Sequence, residues 1–122
     1  MQPLGQPGSA AEAHRQAAFC QAADAFLACA EPNDNPVYFC RSGECFEKGG
    51  RPRDAAEAFR RGGDFTRMVS LYHKFGMHDE AVAIILDKKY KVQPVIANSA
   101  REAARVHYLN QVESEYVSAN AV

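Results

Sequence analysis

Long apolar runs are absent from this chain of 122 residues. None approaches the roughly 18 residues that a bilayer-spanning helix needs, so we expect no membrane segment. Excess charge is missing too, because 14 basic and 15 acidic residues leave a formal net charge of -1. No overall field therefore recruits nucleic acid or anionic lipid. Residues 1–8 also lack the basic end and apolar block of a signal peptide, which favours an intracellular chain, cytoplasmic or nuclear.

Four cysteines raise the question of disulfides. They fall within alanine-rich or aromatic helical patterns, at Cys20, Cys29, Cys40 and Cys45. In a small secreted chain this number would suggest two bridges, but nothing in the sequence indicates export. We predict reduced, buried thiols that pack as small apolar side chains.

Motifs for catalysis and cofactor binding are also lacking. The sequence contains no Gly-rich loop ending in Gly-Lys-Ser/Thr that could cradle a nucleotide phosphate. A zinc site would need Cys40 and Cys45 with His73 or His78, yet cysteines five apart on a helix point in different directions. Reactive thiols favour helix N-termini, whereas Cys29 and Cys45 come late in their predicted helices. We therefore predict no metal, no cofactor, no catalytic residue and no enzyme activity.

In the middle of the sequence, similar residues recur at a step of thirteen positions. Large aromatic or aliphatic residues recur at this step, at Phe46, Phe59, Tyr72 and Ile85. Glycines follow the first three of them four places later, at Gly50, Gly63 and Gly76. Glycine ends helices because it adopts the left-handed conformation without a Cβ penalty. The pattern predicts an all-α fold, a short α-solenoid of about six helices in antiparallel, tetratricopeptide-like hairpins.

This pattern also sets the predicted boundaries. We expect a disordered leader over residues 1–8, a helical-repeat domain over 9–111, and a frayed tail or the start of a truncated helix over 112–122. The predicted repeat core comprises Phe46, Phe59, Met68, Tyr72 and Ile85.

Turn and capping residues predict where the helices start. Ser9, Asn35 and Asp64 are predicted N-caps, and Asp79 or His78 is predicted to cap the fifth helix. Gly43 lies inside the second helix, where it costs about 1 kcal/mol relative to alanine. We interpret it as the contact point of a close helix crossing.

Basic residues cluster along the repeat. Five could contact phosphates or a protein partner: Arg51, Arg53, Arg60, Arg61 and Arg67. Acidic neighbours offset them, and the aromatics keep core spacing, unlike the exposed aromatics of nucleic-acid readers. Solvated helix ends are therefore the alternative interpretation. The same two interpretations apply to a smaller cluster at Lys88, Lys89 and Lys91.

Two sequence segments resemble those of a known protein family, namely "GECFEKGGRPRDAAEAFRRGGDFTRMVSLYHKFGMHDEAVAII" and "AREAARVHYL". They resemble the helical-repeat segment of large fungal and animal proteins that join tetratricopeptide-like repeats to a UvrD/Rep-like superfamily 1 helicase region. Coat-type α-solenoids of the clathrin-like, coatomer-like and intraflagellar-transport kinds use similar phrases. The first resemblance implies a repeat segment attached to, or split from, a helicase, and it brings no catalytic residue to this chain.

We accordingly expect a non-catalytic scaffold or protein-interaction module whose partner is a protein or peptide. One alternative is an accessory segment of a superfamily 1 helicase that contacts nucleic acid, and another is a fragment of a coat or transport α-solenoid. Four tyrosines outside the thirteen-residue step would be natural interface anchors if they were exposed together, namely Tyr38, Tyr90, Tyr108 and Tyr116.

Overall fold

A computed structural model describes residues 9–120, and within them the fold is entirely helical, with no strand. The predicted all-α class is therefore confirmed. The predicted leader lies outside the described residues. The six helices are α1 (Ala10–Ala30), α2 (Pro36–Lys48), α3 (Pro52–Arg61), α4 (Phe65–Lys74), α5 (His78–Asp87) and α6 (Pro94–Asn120). Two 3₁₀ turns, Glu31–Asn33 and Lys89–Lys91, precede α2 and α6.

Side-chain caps begin three of the helices where the sequence predicts them. The hydroxyl oxygen of Ser9 accepts a hydrogen bond from the Glu12 amide at 3.0 Å. The side chains of Asn35 and Asp64 accept equivalent bonds at the start of α2 and α4. Each cap satisfies amides that have no partner inside the helix.

The predicted cap of α5 is wrong. The N-cap is Met77, whose side chain makes no capping hydrogen bond, and His78 is already the first helical residue. Asp79 follows in the first turn, where a carboxylate favours the positive end of the helix dipole. Its side chain instead accepts a hydrogen bond from Tyr108 on α6.

The thirteen-residue step is the length of one helix with its turn. At the ends of α2, α3 and α4, the carbonyl of the large aromatic residue accepts a hydrogen bond from the amide five positions later. These bonds run from Arg51 to Phe46, from Asp64 to Phe59 and from Met77 to Tyr72, at 2.8–2.9 Å. The preceding glycines have φ between +69° and +75°, the left-handed conformation of such helix ends. The aromatic residue thus fills the core and anchors the turn.

The core consists of two adjoining groups of buried side chains. The larger group includes four of the predicted core residues, Phe46, Phe59, Met68 and Tyr72. The fifth, Ile85, packs in the smaller group with Val69, Val92, Ala97 and Ala100. All five predicted core residues are at most 8% exposed.

Gly43 marks a close contact between α2 and α3. A Cβ atom at this position would lie 2.7 Å from the ring of Phe59, a distance that real Cβ atoms do not adopt. Next to it, the buried Ser42 hydroxyl donates a hydrogen bond to the Ala23 carbonyl of α1 at 2.8 Å. Together these residues hold α1, α2 and α3 at short separation, as expected for Gly43.

Each helix packs against the next one along the chain, and α4 also contacts α6. Helix α6 is the longest and continues to Asn120 without a break at residue 111. Its buried residues are Ala97, Ala100 and Ala104, all in its first half. Every residue from 105 to 120 is exposed. The second half of α6 therefore extends beyond the packed part of the fold.

Candidate functional site

The five arginines predicted as phosphate or partner contacts lie on α3, α4 and the turn before α3. Each has a carboxylate within 4.0 Å. The pairs are Arg51–Asp54, Arg53–Glu80, Arg60–Glu57, Arg61–Glu31 and Arg67 with both Glu44 and Asp64. The positive charge of this surface is therefore compensated locally. Such exposed pairs contribute little to stability, roughly 0–1 kcal/mol each.

Three of these arginines also cover aromatic rings. The guanidinium carbon of Arg61 lies 4.3 Å from the centroid of the Phe39 ring. Arg51 stands over Phe46 at 5.5 Å, and Arg67 stands over Phe59 at 5.8 Å. These are cation–π distances, and the aliphatic stems shield the edges of core rings from water. A packing role accounts for these side chains without a ligand.

Arg67 lines an open cleft of about 340 Å³ between α2 and the start of α4. Its guanidinium donates a hydrogen bond to Glu44, and this bond raises the pKa of Arg67. The cleft also contains Cys40 and Arg41, so both charge signs are present. Its carboxylates and guanidinium groups already pair with one another, and this arrangement does not select a ligand of either charge.

The second basic cluster lies after α5. The ammonium of Lys88 is 3.7 Å from the Asp87 carboxylate and 5.3 Å from the centre of the Phe65 ring. Lys91 stands over the same ring at 5.7 Å. Lys88 and Lys91 thus cover Phe65 much as the arginines cover their rings, although this short stretch carries a local positive excess.

The thiols do not converge on a common site. Cys40 donates a long hydrogen bond to the Gly62 carbonyl at 3.9 Å, and Cys20 donates one to the Gly49 carbonyl at 3.6 Å. Burial is the largest cause of the raised pKa of both Cys40 and Cys45. Among residues 9–120, no three side chains of the metal-binding types come together.

None of the four thiols is fully buried as predicted, and Cys29 departs furthest from that prediction. Its side chain is exposed, while the other three are half-buried. The outward side of α1 carries small residues such as Ala25 and Ala28 beside Cys29, and these residues stay exposed because no other helix within residues 9–120 covers this side. The prediction failed because an alanine-rich helix has no clear polar face from which to identify its buried side.

The exposed half of α6 carries a row of apolar side chains that we call the α6 strip. It consists of Val106, Leu109, Val112, Tyr116 and Val117, which are 45–69% exposed. Their spacing places them within an arc of about 140° on the helix, nearly opposite the buried alanines. Apolar rows of this kind on a surface mark sites of contact with other molecules.

Contacts at the start of α5 support the base of this projecting half-helix. The hydroxyl of Tyr108 donates a hydrogen bond to the carboxylate of Asp79, which raises the pKa of that tyrosine. The rings of His78 and His107 are 4.6 Å apart, and the ring of Tyr108 packs edge-on against His107. α6 is therefore held to α5 up to about residue 108, and the part of the strip from Leu109 onward projects beyond this point.

The four tyrosines proposed as interface anchors do not form one surface. Tyr38 stacks with Phe26 at a centroid distance of 6.2 Å, and Tyr108 bonds to Asp79. Tyr90 lies in the 3₁₀ turn before α6. Only Tyr116 belongs to the α6 strip. The apolar spacing of three and four from Val106 to Tyr116 was the signal that could have identified the strip from sequence.

None of the helices described over residues 9–120 has the length and apolar character to span a membrane. Comparisons of the chain with protein-family models, with curated proteins and with solved structures found no match.

Proposed function

We propose that this chain is a non-catalytic helical-repeat module that binds a protein partner through the α6 strip. The exposed half of α6 carries the proposal, because it presents five large apolar side chains. Four of them lie beyond about residue 108, where α6 packs against no other part of residues 9–120. A half-helix of this length is marginal without packing. A partner that covers the strip would remove apolar surface from water and stabilise the helical conformation at once.

We also propose that the six helices form a short α-solenoid of tetratricopeptide-like hairpins. The contacts between each helix and the next, and the thirteen-residue step that ends three helices alike, support this arrangement. On the resemblance described above, the chain belongs to, or derives from, a larger helicase-associated repeat protein, and it supplies an interaction surface there. Its place is intracellular, as a scaffold.

Nucleic-acid binding through the five arginines is the alternative that needs a direct test. Their pairing with carboxylates argues against it, because a phosphate would have to displace each partner. Fluorescence anisotropy with labelled single- and double-stranded oligonucleotides at low salt makes the measurement. We expect any dissociation constant for these oligonucleotides to exceed about 100 µM, which is weaker than the usual non-specific affinity of a nucleic-acid-binding protein.

Arg60→Glu combined with Arg61→Glu provides the discriminating variant. Binding in the low micromolar range that falls steeply with salt and disappears in this double variant would overturn the proposal in favour of nucleic acid. The same two changes should leave protein association through the α6 strip intact. In the order of helix contacts, α4 and α5 lie between α3 and α6.

A further inference from the structure

We infer that the turn between α5 and α6 is a second docking surface, and that it binds an acidic peptide segment of a protein partner that carries a large apolar side chain. We call residues 86–95 the basic turn. The inference goes beyond the proposed function, because this turn shares no residue with the α6 strip. Three observations support it: exposed apolar side chains, an excess of positive charge, and contacts that hold the turn in place.

The basic turn exposes three large apolar side chains within ten residues of the chain. Tyr90 is 92% exposed, and Leu86 and Val95 are each 74% exposed. An open groove of about 400 Å³ lies here, and it is lined by Leu86, Asp87, Lys88, Tyr90 and Lys91. A partner side chain seated in this groove would remove apolar surface of Leu86 and Tyr90 from water.

Contacts to α4 fix the position of the basic turn. The Thr66 hydroxyl accepts a hydrogen bond from the Gln93 amide at 3.0 Å and donates one to the Lys91 carbonyl at 3.4 Å. The Lys91 amide donates to the Lys88 carbonyl at 2.8 Å, and Val92 is buried in the smaller core group. The surface is therefore formed before a partner arrives, which lowers the entropic cost of binding.

Positive charge is in excess within the basic turn. Its charged residues are Asp87 and the three lysines Lys88, Lys89 and Lys91, which together leave an excess of two positive charges. The Lys88 ammonium is 3.7 Å from the Asp87 carboxylate, whereas no carboxylate among residues 9–120 lies within 4.0 Å of the Lys91 ammonium. The five arginines described above differ in this respect, because each has a carboxylate partner.

The neighbouring elements do not cancel this excess. Helix α4 contains no acidic residue, and α6 contains none before Glu102. Asp64, which precedes α4, is paired with Arg67 at 3.3 Å. The other acids of α5, Asp79 and Glu80, lie roughly 10 Å or more along the helix from its last residue. Helices α4 and α6 both begin at this turn, so two positive dipole ends meet the one negative end of α5.

The position of Asp87 favours a peptide over a membrane or a nucleic acid. Its side chain is 70% exposed and lines the groove beside the lysines. Anionic lipid surfaces and nucleic-acid backbones present negative charge throughout, so some of it would face this carboxylate. A peptide can instead place a backbone amide opposite Asp87, carboxylates opposite the lysines, and a large apolar side chain between Leu86 and Tyr90.

Fluorescence anisotropy of the full chain with labelled peptides tests the inference. The probe is an acidic peptide of about twelve residues with one central phenylalanine. Because the surface is small, we expect a dissociation constant of about 10–100 µM at about 50 mM salt, rising as salt is added. Two matched peptides, one with serine for phenylalanine and one with amides for its carboxylates, should each bind at least about fivefold more weakly.

Substitutions in the chain localise the binding. Tyr90→Ser and Lys91→Gln should each weaken binding of the acidic peptide at least about threefold. The matched control is Lys48→Gln, because the Lys48 ammonium also stands over an aromatic ring, that of Phe19, at 5.6 Å. This control, and Leu109→Asp on the α6 strip, should leave binding unchanged. Thermal unfolding of each variant shows that the fold is intact, since all four positions are exposed.

A dissociation constant above about 1 mM for the acidic peptide overturns the inference, and so does equal binding of the serine peptide or an equal loss in Lys48→Gln. Vesicles of phosphatidylserine and phosphatidylcholine, and the oligonucleotides described above, are the other anionic probes. Binding of either that requires Tyr90 and Lys91, without binding of the peptide, overturns the inference in favour of a membrane or a nucleic acid. The α6 strip is not involved in these results, so the proposed function is tested separately.

Discussion

At the scale of single residues, the packing of α2 against α3 depends on the absence of a side chain at Gly43. The α-carbon of Gly43 lies so close to the Phe59 ring that a Cβ atom would stand 2.7 Å from two ring atoms. Both residues are buried, and the ring is held on its other sides by the surrounding core. The close approach of α2 and α3 therefore requires glycine here, even though glycine weakens the helix itself.

We predict that Gly43→Ala lowers the free energy of unfolding by about 1–3 kcal/mol, the cost of overpacking a core. Alanine's better helix propensity, worth about 1 kcal/mol, is too small to offset a displaced ring. Denaturant unfolding followed by circular dichroism measures the change. In a Phe59→Leu background, the same substitution should cost less than about 0.5 kcal/mol, because the clashing ring atoms are gone. Equal costs in both backgrounds would show that the ring does not set the spacing.

At the scale of helices, start signals are local and the sequence predicts them well. Asp64 caps α4 by accepting a hydrogen bond at 3.0 Å from the amide of Arg67, only three residues later in the chain. It also forms an ion pair with the Arg67 side chain at 3.3 Å. The capping bond satisfies a backbone amide, whereas the ion pair is exposed and screened, so the cap is the larger contribution.

We predict that Asp64→Ala destabilises the chain by about 1 kcal/mol. The matched control is Asp54→Ala on α3, which removes a carboxylate paired with Arg51 but no N-cap, and should cost less than about 0.5 kcal/mol. Chemical denaturation midpoints of the two variants give the comparison. Similar losses for both would mean that the ion pairs, and not the cap, stabilise these helix starts.

The helical features that could be predicted from sequence are those that depend on residues close together in the chain. Ser9, Asn35 and Asp64 were identified because capping depends on residues only two or three positions apart. The start of α5 was not, since Met77 has no capping side chain and the turn bond to Tyr72 determines where the helix begins. The thirteen-residue step predicted the buried aromatics because it repeats one physical unit, a helix and its turn.

At the scale of the whole molecule, the candidate site depends on relations that the sequence does not reveal. Three of the predicted arginines pair with carboxylates from other elements, as Arg53–Glu80, Arg61–Glu31 and Arg67–Glu44, and such pairings depend on how the helices pack. The α6 strip was missed for a related reason. The spacing of three and four marks Val106, Leu109 and the residues after them as an apolar row, but only the packing shows that this row stays exposed while the alanines before it are buried.

The molecule therefore divides into a packed array, to which α6 is held up to about residue 108, and a projecting half-helix, through which we propose that the chain binds a partner. Hydrogen–deuterium exchange by mass spectrometry measures this division directly. We predict strong protection around Phe59 and Tyr72 and rapid exchange over residues 109–120. Protection beyond residue 108 that is as strong as in the core would contradict this division.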